Sequence, residues 1–289
     1  MNKFNINIID DITTRLVYSF YLRDDINSYD ELINDPDYNI HFKCLTHISN
    51  ICAHDNVIFI ISTNNSNEAL LNDIKINLSR IFRFYKSISF IIEPNFNIGR
   101  EGTVFRKYIL NKLDEYDGLT LFFHNKRTVK SNGPSFWSHI IDEDVTYWII
   151  GQYYFNMYLF KEELGSFMRK QDKLIYGWPY MHDNYHPQWL IGGNCFWMKC
   201  QEIEKYIKDN NITNTPISER CISEFIFPEI FKEDLIDYPC SGIIKEYIET
   251  GFYEPGSNKL FIDYLKNVLP YNTYVNFMNF YNDIMNYTL

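Results

Sequence analysis

The sequence predicts an α/β fold built on a mostly parallel sheet flanked by helices, and three observations carry that reading. Residues 14–21 (TRLVYSFY), 56–62 (NVIFIIS), 87–92 (SISFII) and 119–123 (LTLFF) are short apolar runs of strand length, rich in β-branched and aromatic residues. Between them lie segments whose apolar residues recur at helical spacing. The resulting order, β-α-β-α-β-α-β, is that of a parallel sheet with right-handed crossovers.

The elements follow in turn. After the first strand, residues 24–37 are polar and turn-rich. Residues 40–53 place Phe42, Leu45, Ile48 and Ile51 at a helical period, and residues 69–84 do the same with Leu70, Leu71, Ile74, Leu78, Ile81 and Phe82. A loop, EPNFNIGR, leads from the third strand into a helix over 101–116. The second half is less regular. Residues 136–164 read as a strongly aromatic helix, 173–178 and 189–199 as strands, 201–208 and 218–231 as helices, and the tail from 258 as two further helices. No internal repeat or linker interrupts the chain, and residues 209–216 are its loopiest stretch.

Composition narrows the function. The chain has 289 residues, 27 basic against 37 acidic, for a net charge of −10. A duplex nucleic-acid binder needs a cationic footprint, so that class is disfavoured, as is an anionic membrane surface. No apolar run approaches the roughly 20 residues of a membrane span. Asp10 and Asp11 stand where a secretory signal would have its apolar core, so a cytoplasmic location is expected. Cys44, Cys52, Cys195, Cys200, Cys221 and Cys240 form no C-x-x-C pair and match no zinc spacing, so reduced, buried thiols are expected. Aromatics make up 18% of the chain. Two readings stand: an AT-rich coding genome, as of a virus or parasite, or a surface that stacks on sugars or bases.

In an open parallel sheet, ligands bind beyond the carboxyl ends of the strands. Those ends carry Tyr21 and Arg23, Thr63 and Asn64, residues 95–100, and His124 to Arg127. No G-x-G-x-x-G, P-loop or G-x-S-x-G motif is present, which removes the usual dinucleotide, P-loop and serine-hydrolase readings. FFHNKR delivers His124, Lys126 and Arg127 to the ligand edge, where cations and an imidazole suit a diphosphate leaving group; the alternative is a solvated basic loop. NFNIGRE sets Arg100 at a helix start, an anion site or an ordinary cap. WLIGGNCFWMK flanks Gly192 and Gly193 with Trp189 and Trp197, a sugar-facing bulge or a core strand. Glu224 opens the apolar stretch FIFPEIF as a candidate base or a helix-start acid. HDNYH, with His182, Asp183 and His186, is generic as a metal motif and reads better as a polar loop over the site.

Taken in order, these segments resemble a glycosyltransferase of the GT-A type, and within it the sugar transferases with an H-x-K element, including the rhamnan-synthesis F group. Those proteins run N-x-G-x-E/D, a helix, Y-D, a strand, H-x-K, an aromatic helix and G-N-F-W-W-A-K. This chain has Asn97, Gly99 and Glu101, then Tyr116 and Asp117, His124 and Lys126, Trp137 and Tyr147, and finally Gly193, Asn194, Phe196, Trp197 and Lys199. The resemblance covers roughly residues 14–232. It implies a GT-A-like catalytic domain over 1–240, with a donor half at 1–130 and an acceptor half at 131–240, and a helical extension at 241–289 packed on it.

The resemblance further implies a UDP- or GDP-sugar donor and a glycan or glycosylated acceptor. It places donor contacts at Ser19, Tyr21, Thr63, Arg100, His124 and Lys126, and acceptor-side contacts at Trp189, Gly192, Gly193, Asn194 and Trp197. His124-Asn125-Lys126 falls where most GT-A members carry the metal-holding D-x-D. Either Lys126 and His124 replace the divalent metal as counter-charge, the reading favoured here, or Asp117 or Asp183 holds one. By the same resemblance Glu224 is the general base of an inverting transfer, and Asp183 is the second choice. The competing classes are a non-catalytic sugar-binding module, a scaffold on a degenerate GT-A fold, and a nucleotidyltransferase, which SFYLRDD disfavours because it lacks the glycine-rich loop. Donor sugar, acceptor and oligomeric state stay open.

Overall fold

The computed structural model describes residues 13–49, 56–94, 100–125, 142–159, 174–177, 180–181, 190–191, 195–209 and 261–289. The chain begins with β1 (Thr14–Tyr21), α1 (Tyr29–Asn34), α2 (Pro36–Ser49), β2 (Asn56–Ser62), α3 (Glu68–Ile81) and β3 (Ser87–Glu93). It continues with α4 (Arg100–Tyr108), a 3-10 segment (Leu110–Glu115), β4 (Leu119–His124) and α5 (Asp142–Tyr153), which runs on into a π-helical turn (Tyr154–Leu159). Then come β5 (Ile175–Gly177), β6 (Tyr180–Met181), β7 (Leu190–Ile191), β8 (Phe196–Lys199), α6 (Cys200–Asp209), α7 (Phe261–Val268) and α8 (Tyr271–Asn286).

Six strands form one sheet in the order β3-β2-β1-β4-β8-β5, while β6 and β7 pair separately. β1 is parallel to both β2 and β4, and β2 to β3. β8 runs antiparallel to β4 and β5. The fold is therefore the α/β class expected, with a mostly parallel mixed sheet. The chain steps outward from β1 through β2 to β3, then returns to place β4 on the other side of β1. That reversal puts a topological switch point between the carboxyl ends of β1 and β4.

The alternation of side chains divides the core into two faces. On face one, Leu16, Tyr18, Phe20, Phe59, Leu121 and Phe123 pack against α1, α2, α3 and α5, with Phe277, Phe280 and Ile284 of α8 alongside. On face two, Val17, Ile60 and Phe122 pack against Val104 and Phe105 of α4, Leu113 of the 3-10 segment and Ile203 of α6. α5 has no polar face because it is covered twice: Trp148, Ile149 and Ile150 are all buried, and Tyr147 stacks on Tyr281 of α8 with centroids 4.2 Å apart. The high aromatic content is largely used in this way. The largest fully buried side chains are Tyr18, Tyr38, Tyr153, Tyr154 and six or more Phe rings of the same two cores.

Three elements depart from the sequence reading. The single strand expected over 189–199 is two, β7 and β8, which join different sheets. The helix expected over 101–116 ends at Tyr108 and continues as the 3-10 segment, broken at Lys112, whose backbone is not helical. The turn expected at 24–37 contains α1, capped by the Ser28 hydroxyl, which accepts from the Glu31 N–H. Gly118, just before β4, has φ of +151°, and a Cβ there would stand 2.4 Å from the Thr13 carbonyl oxygen, which accepts the Leu119 N–H. Only glycine lets β4 start in register with β1. The helix expected over 218–231 lies outside the described residues.

Candidate functional site

The carboxyl edge of the sheet is held open by side chains rather than by more strand pairing. Asn125, the residue after β4, crosses the switch point. Its Oδ1 accepts the Tyr21 N–H at 2.7 Å and its Nδ2 donates to the Tyr21 carbonyl at 2.9 Å. The Tyr38 hydroxyl from α2 also donates to the Tyr21 carbonyl, and accepts the Arg23 N–H at 2.9 Å. Burial pushes the Tyr38 phenol well above its ordinary pKa, so it remains a donor at neutral pH.

Arg23, which the sequence puts at a strand end, is committed to the fold. It is 6% exposed, and its guanidinium donates to Asp25 at 2.9 Å, to Asp37 at 3.2 Å and to Asp35. Burial disfavours the charged form, but hydrogen bonds to Asp35 and Asp25 and the field of Asp35 outweigh it and raise its pKa. The exit of β2 is tied to that of β1. Asp24 accepts the Asn64 N–H, Asn65 Nδ2 donates to the Ile26 carbonyl at 2.7 Å, and Asn67 Nδ2 donates to the Asn27 carbonyl at 2.9 Å while Asn67 Oδ1 caps α3.

On face two the strands turn from apolar to polar as they reach this edge. Val17 is followed by Ser19 and Tyr21, Ile60 by Ser62, Ile91 by Glu93, and Phe122 by His124. Register aligns Ser19 with Ile60 on one side and His124 on the other, and aligns Ser62 with Tyr21 and Glu93. Ser19, Ser62, Glu93 and His124 are all buried. The Glu93 carboxylate accepts from Lys107 Nζ at 2.5 Å and from the Tyr108 hydroxyl, both on α4. The Ser62 hydroxyl is buried with no hydrogen-bond partner. A buried polar atom left unpaired costs about 1–3 kcal/mol, which makes it the signature of a missing ligand atom or water.

The residues expected at the site are distributed as follows. Ser19, Tyr21, Thr63 and His124 all lie at the carboxyl edge. Thr63 is 4% exposed and its hydroxyl accepts the Asn65 N–H at 2.9 Å, so it shapes the turn, and the neighbouring Ser62 is the one with hydrogen-bonding capacity to spare. Arg100 opens α4 as expected, but it is the other end of that helix, at Lys107 and Tyr108, that reaches the edge. Trp197 does not stand at an acceptor subsite. It is 3% exposed on face one, and its indole N–H donates to the Asn156 carbonyl at 2.6 Å. Lys126, Asp183, Trp189, Gly192, Gly193, Asn194 and Glu224 lie outside the described residues.

Ser62, Glu93, Lys107 and Asn125 carry weight that the sequence reading did not give them. Ser62 and Glu93 had a signal: each ends an apolar strand, in line with the residue two before it. Lys107 had none, because its partner is 14 residues away across a loop.

A divalent cation on a diphosphate needs oxygen ligands. Among the described residues the exit of β4 offers an imidazole and an amide whose two ends are both bonded to Tyr21, and the nearest buried carboxylate, Glu93, is engaged by Lys107 and Tyr108. These groups do not fit a metal site, and no His, Cys, Asp or Glu cluster among the described residues does. Cys44, Cys195 and Cys200 are free, buried thiols, and burial pushes the first and last above the ordinary thiol pKa. No described helix is long and apolar enough to cross a membrane. No protein-family model, curated protein or solved structure matches the chain.

Proposed function

We propose that this chain is a glycosyltransferase that takes a sugar from a nucleotide-sugar donor to an acceptor hydroxyl, with the nucleotide at the carboxyl edge of face two. The observation that carries this reading is the buried, unpartnered Ser62 hydroxyl in a polar row beside a topological switch point. The nucleotide and the sugar come from the motif resemblance set out above. On this reading Ser62 and Glu93 take the hydrogen-bonding groups of the nucleoside, which carries both donors and acceptors. Ser19 and His124 stand nearer the switch point, where the diphosphate begins. Lys126 supplies counter-charge to the leaving diphosphate, as a charge-assisted bond that strengthens as the anomeric bond breaks. Glu224 removes the acceptor proton, with Asp183 as the second candidate, and inversion follows from attack opposite the leaving group.

A thermal-shift screen against UDP-, GDP- and CMP-sugars, each with Mn²⁺ and with EDTA, tests the reading. A ligand bound by the native state raises the melting temperature by mass action. The reading expects one nucleotide sugar to shift the melt and the shift to survive EDTA. In Lys126→Ala the donor then binds about tenfold more weakly or worse, the value of one charge-assisted contact. In Glu224→Gln, donor binding persists and transfer is lost. A protein that no nucleotide stabilises is not this enzyme, and would be a sugar-binding or scaffold protein on the same fold.

A further inference from the structure

The edge of the sheet formed by β3 carries a second inference, independent of the nucleotide site. Among the described residues β3 pairs with β2 alone. Natural edge strands are blunted by lysine, proline, a bulge or a short length. β3 is seven residues long, SISFIIE, with no lysine or proline, and Ser87, Ser89 and Ile92 are exposed along it. Ile92 is 42% exposed, and beside the strand Phe84 is 63% and Ile76 of α3 40% exposed. This is an apolar margin on an unprotected edge.

We infer that β3 pairs antiparallel with β3 of a second copy of this chain, joining two sheets across a two-fold axis at Phe90. The strand is self-complementary in that register. Ile88 faces Ile92 of the copy, Phe90 faces Phe90, and Ser87 faces Glu93. Ile88 and Phe90 already pack on face one, so the pairing continues that core across the axis and covers Ile92. The flanking helix agrees in charge. Tyr29 of α1 senses Asp73 and Arg80, so that flank of α3 faces inward. The opposite flank, by helical spacing, carries Glu68 near the start of α3 and Lys75 in its middle, both free to face the antiparallel α3 of the copy. There Glu68 of each chain approaches Lys75 of the other. A heterologous partner would have no reason to match the strand's own symmetry.

Sedimentation equilibrium of the full chain, over a range from nanomolar to high micromolar, tests the pairing. The expected result is a reversible dimer. Ser89→Lys and Ile92→Lys, at two exposed positions of the strand, each weaken it at least about tenfold, because each places its charge at the interface twice. Both variants keep the wild-type melting profile measured below the dissociation range. Glu68→Lys alone weakens the dimer, and adding Lys75→Glu restores it, which a merely destabilised fold would not do. A chain that stays monomeric throughout, or a dimer indifferent to both lysine variants, overturns the inference.

Discussion

The two ends of face two look alike in sequence and differ in what they do. On this face β1 runs Arg15, Val17, Ser19, and β4 runs Thr120, Phe122, His124: polar, apolar, polar. At the amino end every polar group described has a protein partner. Arg15 Nε donates to Thr120 Oγ1 at 3.1 Å, its guanidinium lies 4.0 Å from the centre of the Tyr116 ring, and the Cys200 thiol donates to Thr120 Oγ1 at 3.2 Å. At the carboxyl end Ser62 has none. Buried polarity by itself therefore does not mark a site; polarity that the fold leaves unsatisfied does.

The largest effect that would sharpen this contrast belongs to a residue that sits at the site edge but serves the fold. Arg23→Ala leaves Asp35, Asp25 and Asp37 facing one another without a cation, and should cost about 3 kcal/mol, less than a fully buried network because Asp25 is largely exposed. Chemical denaturation measures it. A loss of donor binding in Arg23→Ala at unchanged stability would instead make Arg23 a ligand contact and blur the distinction.

At the amino end, Arg15→Ala should lose about 2 kcal/mol, through the Tyr116 contact and the orphaned Thr120 hydroxyl, and Thr120→Val about 1 kcal/mol. Neither should alter ligand binding. At the carboxyl end, Ser62→Ala removes a group that is already unpaired, so stability should hold or rise by a few tenths of a kcal/mol.

The smallest effect concerns face one and depends on pH. His47 of α2 packs edge-on against Phe280 of α8 at 5.1 Å. Burial lowers its pKa from the ordinary 6.5, and the field of Asp283 opposes part of that shift. The unfolded chain then binds the proton more readily than the folded one. Stability is full above pH 6.5 and falls as pH drops from there toward the folded pKa. His47→Phe should flatten that part of the pH–stability profile by a fraction of a kcal/mol, and a profile unchanged by the substitution would remove His47 from it. At the opposite limit, burial pushes the Tyr29 phenol up to about 12 and those of Tyr18 and Tyr153 higher still. Unfolded tyrosine ionises at about pH 10, so stability should fall as pH rises from there, with tyrosinate absorbance appearing together with unfolding rather than before it.

Local pattern made much of the fold legible. β1 and β2 fall on the residues their apolar runs predict, and β3 and β4 differ from theirs by a single residue at the carboxyl end. Buried parallel strands announce themselves because both faces must be apolar. The break at Lys112 and the division of 189–199 between two sheets were hidden, because each depends on what lies across the sheet and not on the segment's own spacing. The site was legible in location and not in content. The strand ends could be named, but Asn125 meets Tyr21 across 104 residues, and only the assembled register distinguishes Ser62 from Thr63. Trp197 shows the opposite failure: a Trp beside glycines looks like a sugar platform until the strand's alternation turns it into the core.

The most direct measurement is a set of paired melting curves for the wild type, Thr120→Val and Ser62→Ala, each alone and with the nucleotide sugar that best stabilises the wild type. The account predicts that Thr120→Val melts lower but keeps the full ligand-induced shift, and that Ser62→Ala melts at or above the wild type and loses most of that shift. If Ser62→Ala melts as low as Thr120→Val and responds to the nucleotide sugar as the wild type does, the two ends of face two are equivalent, and the carboxyl edge is not the binding site.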